Sequence, residues 1–347
     1  MRLFLLLFLP LLLSKCETTE LQEAIDAPHE AYSDNKPMEG VTFVAPPHPF
    51  PKPPMPPIQE VGADWIAIVP YAFTRQGQSN VFYGSDRQWW GERVVGIEET
   101  IRQARAADIQ VLLKPQVYIP GSWTGDLTFP TTNQWERWEA EYEDYILQMA
   151  RLAAEQEVEV FCVGTEFKKG VVERTDFWRQ LIQKVRTVYD GKLVYAANWD
   201  AYQNVTFWED LDYIGVNAYF PLDPATTPTV STLRKAWQPI FKEMEAYQKS
   251  IDRPIVFTEF GYLSVDGCAY NTWELEGKVK SLAINEQAQA NAYQALFETF
   301  WKAEWWYGGF IWKWFPNMEG GEGYNDRDYT PQFKKGEETL QLWYMER

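Results

Sequence analysis

The sequence is poor in the two side chains that most often build metal and redox sites. Of its 347 residues, only 3 are cysteine and 2 are histidine. Cys162 lies in a predicted core strand, and His29 and His48 are far from the strongest motifs of the chain. The spacing of these residues provides neither a disulfide framework nor a Cys/His metal pattern. We therefore expect no metal site.

Positive charge is also scarce. Lysine and arginine total 32 against 49 aspartate and glutamate residues, which gives a formal net charge of −17. This balance opposes binding to phosphate backbones and to anionic membrane surfaces. We therefore expect no nucleic-acid partner, whereas a neutral or cationic partner is easier to accommodate.

A long hydrophobic run is missing except at the start, where residues 3–13 are apolar and broken only by Pro10. The run is too short for an ordinary transmembrane helix and fits a secretory signal, which we predict at residues 1–15. Leu13-Ser14-Lys15-Cys16 resembles a bacterial lipobox, although Lys15 stands where a small residue is usual. We expect export to the cell envelope as a lipoprotein anchored through Cys16. The alternative is a secreted or periplasmic protein without a lipid.

The rest of the chain predicts a flexible tether at residues 16–38 and one domain over residues 39–347. Helical periodicity separates eight short apolar runs that are typical of buried strands, at residues 40–44, 65–69, 111–113, 158–163, 193–197, 213–216, 255–257 and 309–312. This alternation predicts an α/β fold, a (β/α)8 TIM barrel. The proline-dense segment 46–57 predicts an irregular or very short first crossover. An open doubly wound sheet is the alternative, but no glycine-rich phosphate loop follows an early strand.

Two glutamates follow apolar, strand-like runs. Glu166 comes after residues 158–165 and Glu259 after residues 254–258. In a barrel of alternating strands and helices, this position is the rim at which active sites are built. Two carboxylates on one rim are what the hydrolysis of a glycosidic bond needs. The sequence therefore predicts a glycosidase site at Glu166 and Glu259.

Polar and aromatic residues follow the other predicted strands: Lys114 with Trp123 further on, Asn198, Trp199, Asn217, Tyr219, Tyr262 and Trp312. Aromatic residues make up 16% of the chain, including 17 tryptophans. Such a surplus indicates either a large core or flat platforms on which the C–H faces of sugar rings stack.

Several motifs resemble the retaining glycoside hydrolases of clan A, and family 113 most of all. They are Val163-Gly164-Thr165-Glu166, Asn217-Ala218-Tyr219, Thr258-Glu259-Phe260-Gly261-Tyr262 and the decapeptide at residues 62–71. The resemblance implies that Glu166 is the acid/base, that Glu259 is the nucleophile and that Tyr219 donates a hydrogen bond to Glu259. Many clan members have Asn before the acid/base, where it binds the sugar 2-hydroxyl. Thr165 replaces it here, and Asn198 is our candidate for that contact.

The resemblance implies a retaining hydrolase of β-1,4-linked mannan. Its two-carboxylate chemistry needs no metal and no organic cofactor, and we expect a monomer. Its partner would be a β-linked polysaccharide or oligosaccharide. The candidate sugar-binding residues are Asn198, Trp199, Lys114, Trp123, Asn217, Tyr262 and Trp312. Two alternatives stay open: a clan A hydrolase of glucan, xylan or galactan, and a non-catalytic glycan-binding lipoprotein of the cell surface.

Overall fold

The computed structural model describes residues 36–316 and 326–345. The predicted signal peptide, Cys16 and all but the last three residues of the predicted tether lie outside the described residues. Ordered strand structure begins at Met38, one residue before the predicted start of the domain.

Eight strands form a closed barrel, and every neighbouring pair is parallel. In chain order they are β1 (Met38–Phe43), β2 (Trp65–Ile68), β4 (Gln110–Leu113), β6 (Val160–Thr165), β7 (Lys192–Asn198), β8 (Tyr213–Asn217), β9 (Ile255–Phe260) and β10 (Trp306–Trp314). Each pairs with the next one listed, and β10 closes on β1. The predicted TIM barrel is confirmed, because each strand overlaps one of the eight apolar runs.

Helices pack outside the barrel as α1 (Pro56–Glu60), α2 (Val94–Arg105), α3 (Thr132–Glu155), α4 (Gly170–Glu173), α5 (Thr175–Arg186), α6 (Val230–Ile251), α7 (Thr272–Glu276), α8 (Glu286–Phe300) and α9 (Lys335–Met345). The only helix in the first crossover is α1, which has five residues; an irregular or very short crossover is what its prolines predicted. The fully described crossover from β7 to β8 has no α-helix and contains two 3₁₀ helices instead, Tyr202–Asn204 and Trp208–Asp210.

A two-stranded parallel ribbon, which the apolar runs did not predict, lies outside the barrel. Its strands are β3 (Tyr71–Phe73) and β5 (Gln116–Tyr118). Each continues a barrel strand after a proline, Pro70 beyond β2 and Pro115 beyond β4. Proline cannot donate a ladder hydrogen bond, so it ends the barrel pairing at both places. Strands of three residues are too short to show a period of two in the sequence.

The tryptophan surplus is mostly used in the core. Ten of the 17 tryptophans are buried, and only Trp89 and Trp273 are among the exposed large hydrophobic residues. A layer of rings under β6 includes Trp138 stacked on Tyr142 with their centroids 4.7 Å apart. The Trp178 ring packs against Tyr142 in the same layer, with centroids 5.7 Å apart. Gly164 leaves room for it, because a Cβ at this position would lie 2.7 Å from the Trp178 ring.

Within residues 36–316 and 326–345, no helix is both long and apolar enough to cross a bilayer.

Candidate active site

The two glutamates lie at the carboxyl-terminal rim of the barrel. Glu166 directly follows β6, whereas Glu259 lies inside β9 as its penultimate residue. The strand predicted at residues 255–257 therefore ended too early. Glu166 has a φ of 59°, in the left-handed region that residues other than glycine rarely adopt. Its backbone N–H donates to the Ala196 carbonyl at 2.8 Å, and the next N–H donates to the Tyr195 hydroxyl at 2.8 Å. Neighbouring β7 therefore holds the strained residue in place.

Glu166 accepts a hydrogen bond on each carboxyl oxygen. The Trp123 indole N–H donates to Oε2 at 2.7 Å, and the Asn217 amide donates to Oε1 at 3.0 Å. The Thr258 hydroxyl donates to the Asn217 amide oxygen at 2.9 Å, which fixes the amide with its nitrogen towards Glu166. Both carboxyl oxygens are thus held in one orientation at the rim.

The environment of Glu166 favours its protonated form. Burial raises its pKa, and so does the negative charge of Glu259. The hydrogen bonds from Trp123 and Asn217, and the charge of Lys114, act in the opposite direction and are weaker. A carboxyl group whose pKa is raised in this way keeps its proton closer to neutral pH and can serve as a general acid.

Glu259 lies in contrasting surroundings. The Lys114 ammonium forms an ion pair with Oε1, and the Gln116 amide donates to the same oxygen at 2.9 Å. The Tyr219 hydroxyl donates to Oε2 at 2.9 Å. One cation and two neutral donors thus compensate the carboxylate's negative charge, while its side chain is only 8% exposed.

Tyr219 remains a hydrogen-bond donor across the physiological pH range. Burial raises the pKa of its hydroxyl well above the usual value, and the charge of Glu259 adds to that effect. Its ring packs edge-on against Tyr329 with centroids 6.2 Å apart, and the Tyr329 hydroxyl donates to Glu276 at 2.8 Å. Packing and hydrogen bonding together fix the direction of the Tyr219 hydroxyl.

The structure brings four of the predicted residues into contact with the pair. Trp123 and Asn217 bind Glu166, whereas Lys114 and Tyr219 bind Glu259. Trp312 is partly exposed near the end of β10, and none of the described contacts joins its side chain to either glutamate. Lys114 is completely buried, so it contacts the carboxylate in place of solvent.

The other three predicted residues make no hydrogen bond to either glutamate among the described contacts. The Asn198 amide donates to Asp200 at 2.7 Å. The Trp199 ring stacks on Trp273 at 5.8 Å, beyond the end of β7. Tyr262 is 3% exposed and packs against Tyr293, so in this conformation it offers little surface to a ligand. Their roles in sugar binding stay predictions.

Sequence reasoning missed three residues of the site. Gln116 and Thr258 form the hydrogen bonds described above, and the charges of Glu259 and Glu166 contribute, after burial, to raising the pKa of Tyr71. Tyr71 and Gln116 are register partners in the β3–β5 ribbon. A repeated pattern could have indicated Tyr71 and Gln116. At both places an apolar strand is followed within two residues by a proline, Pro70 or Pro115, and the missed residue comes next.

No group of three or more His, Cys, Asp or Glu side chains suited to a metal ion occurs in the described parts of the chain. The arrangement offers one carboxyl group suited to hold a proton and one carboxylate compensated by an ammonium group. Such a pair can perform acid-assisted nucleophilic displacement at a sugar carbon.

Comparison with known proteins agrees with this chemistry. Residues 51–334 match the model of Glycoside Hydrolase Family 113. No match was found among curated protein sequences. Among solved structures, a complex of a family 113 β-1,4-mannanase is 26% identical, with a TM-score of 0.77 over 90% of this chain and 100% of that chain.

Two further solved structures share the fold. The family 113 β-mannanase of Alicyclobacillus acidocaldarius is 24% identical, with a TM-score of 0.78 over 89% of this chain and 97% of that chain. A β-glucuronidase of Ruminococcus gnavus is 14% identical, with a TM-score of 0.59 over 89% of this chain and 50% of that chain. At these identities, the two likenesses establish the barrel fold alone.

We predict that Glu259→Ala abolishes ordinary turnover, because the attacking carboxylate is gone. Azide should enter the space left behind and partly restore cleavage of an activated aryl β-glycoside, giving a glycosyl azide of inverted configuration. Rates and product configuration are measured by absorbance and NMR. A fully active Glu259→Ala protein contradicts the assignment.

The same substitution should lower the free energy of unfolding by about 3–5 kcal/mol, because it leaves the Lys114 cation buried without its partner. A Glu259→Ala/Lys114→Met double variant, which removes both charges, should recover part of that loss and still lack turnover. Chemical denaturation of the three proteins measures both effects.

We predict that Glu166→Gln loses roughly 10²–10⁴-fold in kcat/KM on substrates with poor leaving groups, the usual span for proton-transfer catalysis. Aryl glycosides with very acidic leaving groups should lose less in the glycosylation step. The alkaline limb of the pH–rate profile, at which the wild-type acid loses its proton, should disappear because Gln does not titrate.

Glu304→Gln is the matched control, since Glu304 is exposed and precedes β10 at the opposite end of the barrel. Its rates and pH profile should equal those of the wild type. Equal losses for all leaving groups in Glu166→Gln, with an unchanged profile, would rule out the acid/base role.

Proposed function

Because the chain belongs to glycoside hydrolase family 113, we propose that it hydrolyses β-1,4-mannosidic linkages in mannan-type polysaccharides or oligosaccharides with retention of configuration. The observation that carries the proposal is the contrast between the two glutamates. Burial and a neighbouring negative charge raise the pKa of Glu166, whereas Glu259 is paired with a buried ammonium. Environments that differ in this way divide two carboxyl groups into an acid and a nucleophile.

In the first step, Glu259 attacks the anomeric carbon while Glu166 gives its proton to the departing glycosidic oxygen. Tyr219 and Gln116 hold the attacking carboxylate in one orientation through hydrogen bonds at 2.9 Å each. The product is a glycosyl ester of Glu259 and a free sugar hydroxyl, so the proton is accounted for.

In the second step, Glu166 is deprotonated and acts as base towards a water molecule. Formation of the ester removes the negative charge of Glu259, which is one of the causes of the raised Glu166 pKa. The pKa of Glu166 therefore falls in the glycosyl-enzyme, in which Glu166 must be deprotonated to act as a base. As water attacks, the Glu259 carboxylate leaves, and the Lys114 ammonium stabilises its returning charge.

The choice of mannan rests on the family and on the 26% identical β-1,4-mannanase structure. Thr165, in place of the Asn found in many clan members, is consistent with a sugar whose 2-hydroxyl is held differently. No observation favours glucan, xylan or galactan, and a purely glycan-binding protein has no need of two glutamates with opposed environments.

We predict that kcat/KM is higher for a β-1,4-linked mannotetraose than for the matched glucotetraose. Product configuration in the first moments of the reaction, followed by NMR, should show retention. The Glu259→Ala protein serves as the control for contaminating activity. A preference for the gluco-series would instead support a clan A hydrolase that acts on another β-glycan.

We also propose that Cys16 carries a lipid and holds the enzyme at the cell envelope. The support is sequence alone: the apolar run ends at Leu13, Cys16 follows three residues later and a polar stretch separates it from the barrel. A lipid on Cys16 would anchor the protein without a spanning helix. The stretch would let the barrel rim face a polymer.

We predict that mass spectrometry of the protein from its native host finds a diacylated or triacylated Cys16 at the mature N-terminus. A Cys16→Ser protein should lose membrane association. An unmodified N-terminus, with the enzyme free in the medium or periplasm, would reject the anchor and leave simple export.

We propose that the enzyme acts as a monomer, since residues of one chain supply both carboxylates and their donors.

A further inference from the structure

One face of the β3–β5 ribbon leads away from the catalytic pair. In this parallel ribbon Tyr71 pairs with Gln116 and Phe73 with Tyr118. Side chains two residues apart on a strand share a face, so these four lie together. The Tyr118 ring meets the Tyr71 ring at 6.5 Å and the Phe73 ring at 6.1 Å, which agrees with that placement. Gln116 contacts Glu259 at the inner end, so the face runs from the nucleophile outwards.

At its outer end the face continues into a surface groove of about 720 Å³. Phe73 lines the groove, and its backbone pairs with that of Phe82 through hydrogen bonds of 2.8 and 2.9 Å. Phe82 and Trp89, which also line the groove, are 50% and 51% exposed, and neighbouring Tyr118 is 51% exposed. Large aromatic side chains grouped on a surface in this way indicate a binding site.

The groove also contains groups that can bind hydroxyls. Glu92 lines it beside Gln88, whose amide donates to the Glu92 carboxyl at 3.2 Å and to the Tyr71 carbonyl at 2.6 Å. Burial raises the pKa of Glu92. Flat apolar rings combined with a few fixed carboxyl and amide groups suit a sugar, whose C–H faces are apolar and whose edges carry hydroxyls.

We propose that this groove, centred on Phe82 and Trp89, binds further β-1,4-linked sugar residues of the same polysaccharide chain that is cut at Glu166 and Glu259. The inference rests on the proposed function for the identity of the sugar, and on the ribbon for its placement. Continuity with the catalytic pair favours a polymer that occupies both sites at once. The lining carries both signs of charge, Arg75 and Arg87 together with Glu92, so the choice of a neutral chain follows from the proposed function.

The first test compares a long and a short substrate. In Trp89→Ala and Phe82→Ala, the ratio of kcat/KM for mannohexaose to that for an aryl β-mannobioside should fall roughly three- to ten-fold each, the range for loss of one aromatic contact. Leu342→Ala, which truncates an exposed side chain on the outer helix α9, should leave the ratio unchanged. An unchanged ratio in both groove variants overturns the proposal.

The second test separates the groove from catalysis. The Glu259→Ala protein, with and without Trp89→Ala and Phe82→Ala, is run in native gels that contain galactomannan, glucomannan or no polysaccharide. We expect polysaccharide to retard Glu259→Ala, and the two groove substitutions to abolish most of that retardation.

The outcomes are distinguishable. Retardation that depends on Phe82 and Trp89, in a protein whose wild-type form does not cleave mannan, would support the groove and contradict the proposed function. Mannan cleavage with retardation independent of these residues, or with no retardation, would overturn the groove and leave the proposed function standing. A groove that binds a protein partner rather than polysaccharide would give this second result.

Discussion

The buried ion pair between Lys114 and Glu259 is the interaction on which the site depends. Lys114 follows β4 and Glu259 lies in β9, the third and seventh strands around an eight-stranded barrel, so the pair joins opposite sides of its mouth. Each charge would cost several kcal/mol to desolvate alone, and only closure of the barrel brings the two together. The pair therefore links the fold directly to the position of the nucleophile.

The same rim makes two glutamates of one chemical type behave differently. Glu166 is held by neutral donors, and its pKa is raised by burial and by the charge of Glu259. Glu259 is held by an ammonium, an amide and a phenol. Asn217 and Thr258 connect the two environments, because the strand that carries Glu259 also orients the amide that holds Glu166. Position relative to Lys114 therefore decides which carboxyl group attacks and which gives a proton.

The β3–β5 ribbon extends the site beyond the barrel. Its inner end supplies Gln116 to the nucleophile, and its outer end carries Phe73 and Tyr118 towards the groove. An element that contacts both the reacting carboxylate and the proposed groove can set the register of a polymer across the cleft. In this arrangement, binding energy gained far from the scissile bond helps to place that bond between the two glutamates.

The sequence by itself determined the eight barrel strands, the main helices and the place of the two glutamates, because local apolar patterns and burial decide those features. It could not determine the ribbon, since strands of three residues carry too little periodicity. Nor could it show that Lys114 is buried, because the cost of burying a lysine depends on a partner 145 residues away. Asn217, predicted to bind sugar, also holds Glu166, and Tyr262 packs in the core. Tertiary structure alone decided these partnerships, because they arise from strands that become neighbours or opposites only when the barrel closes.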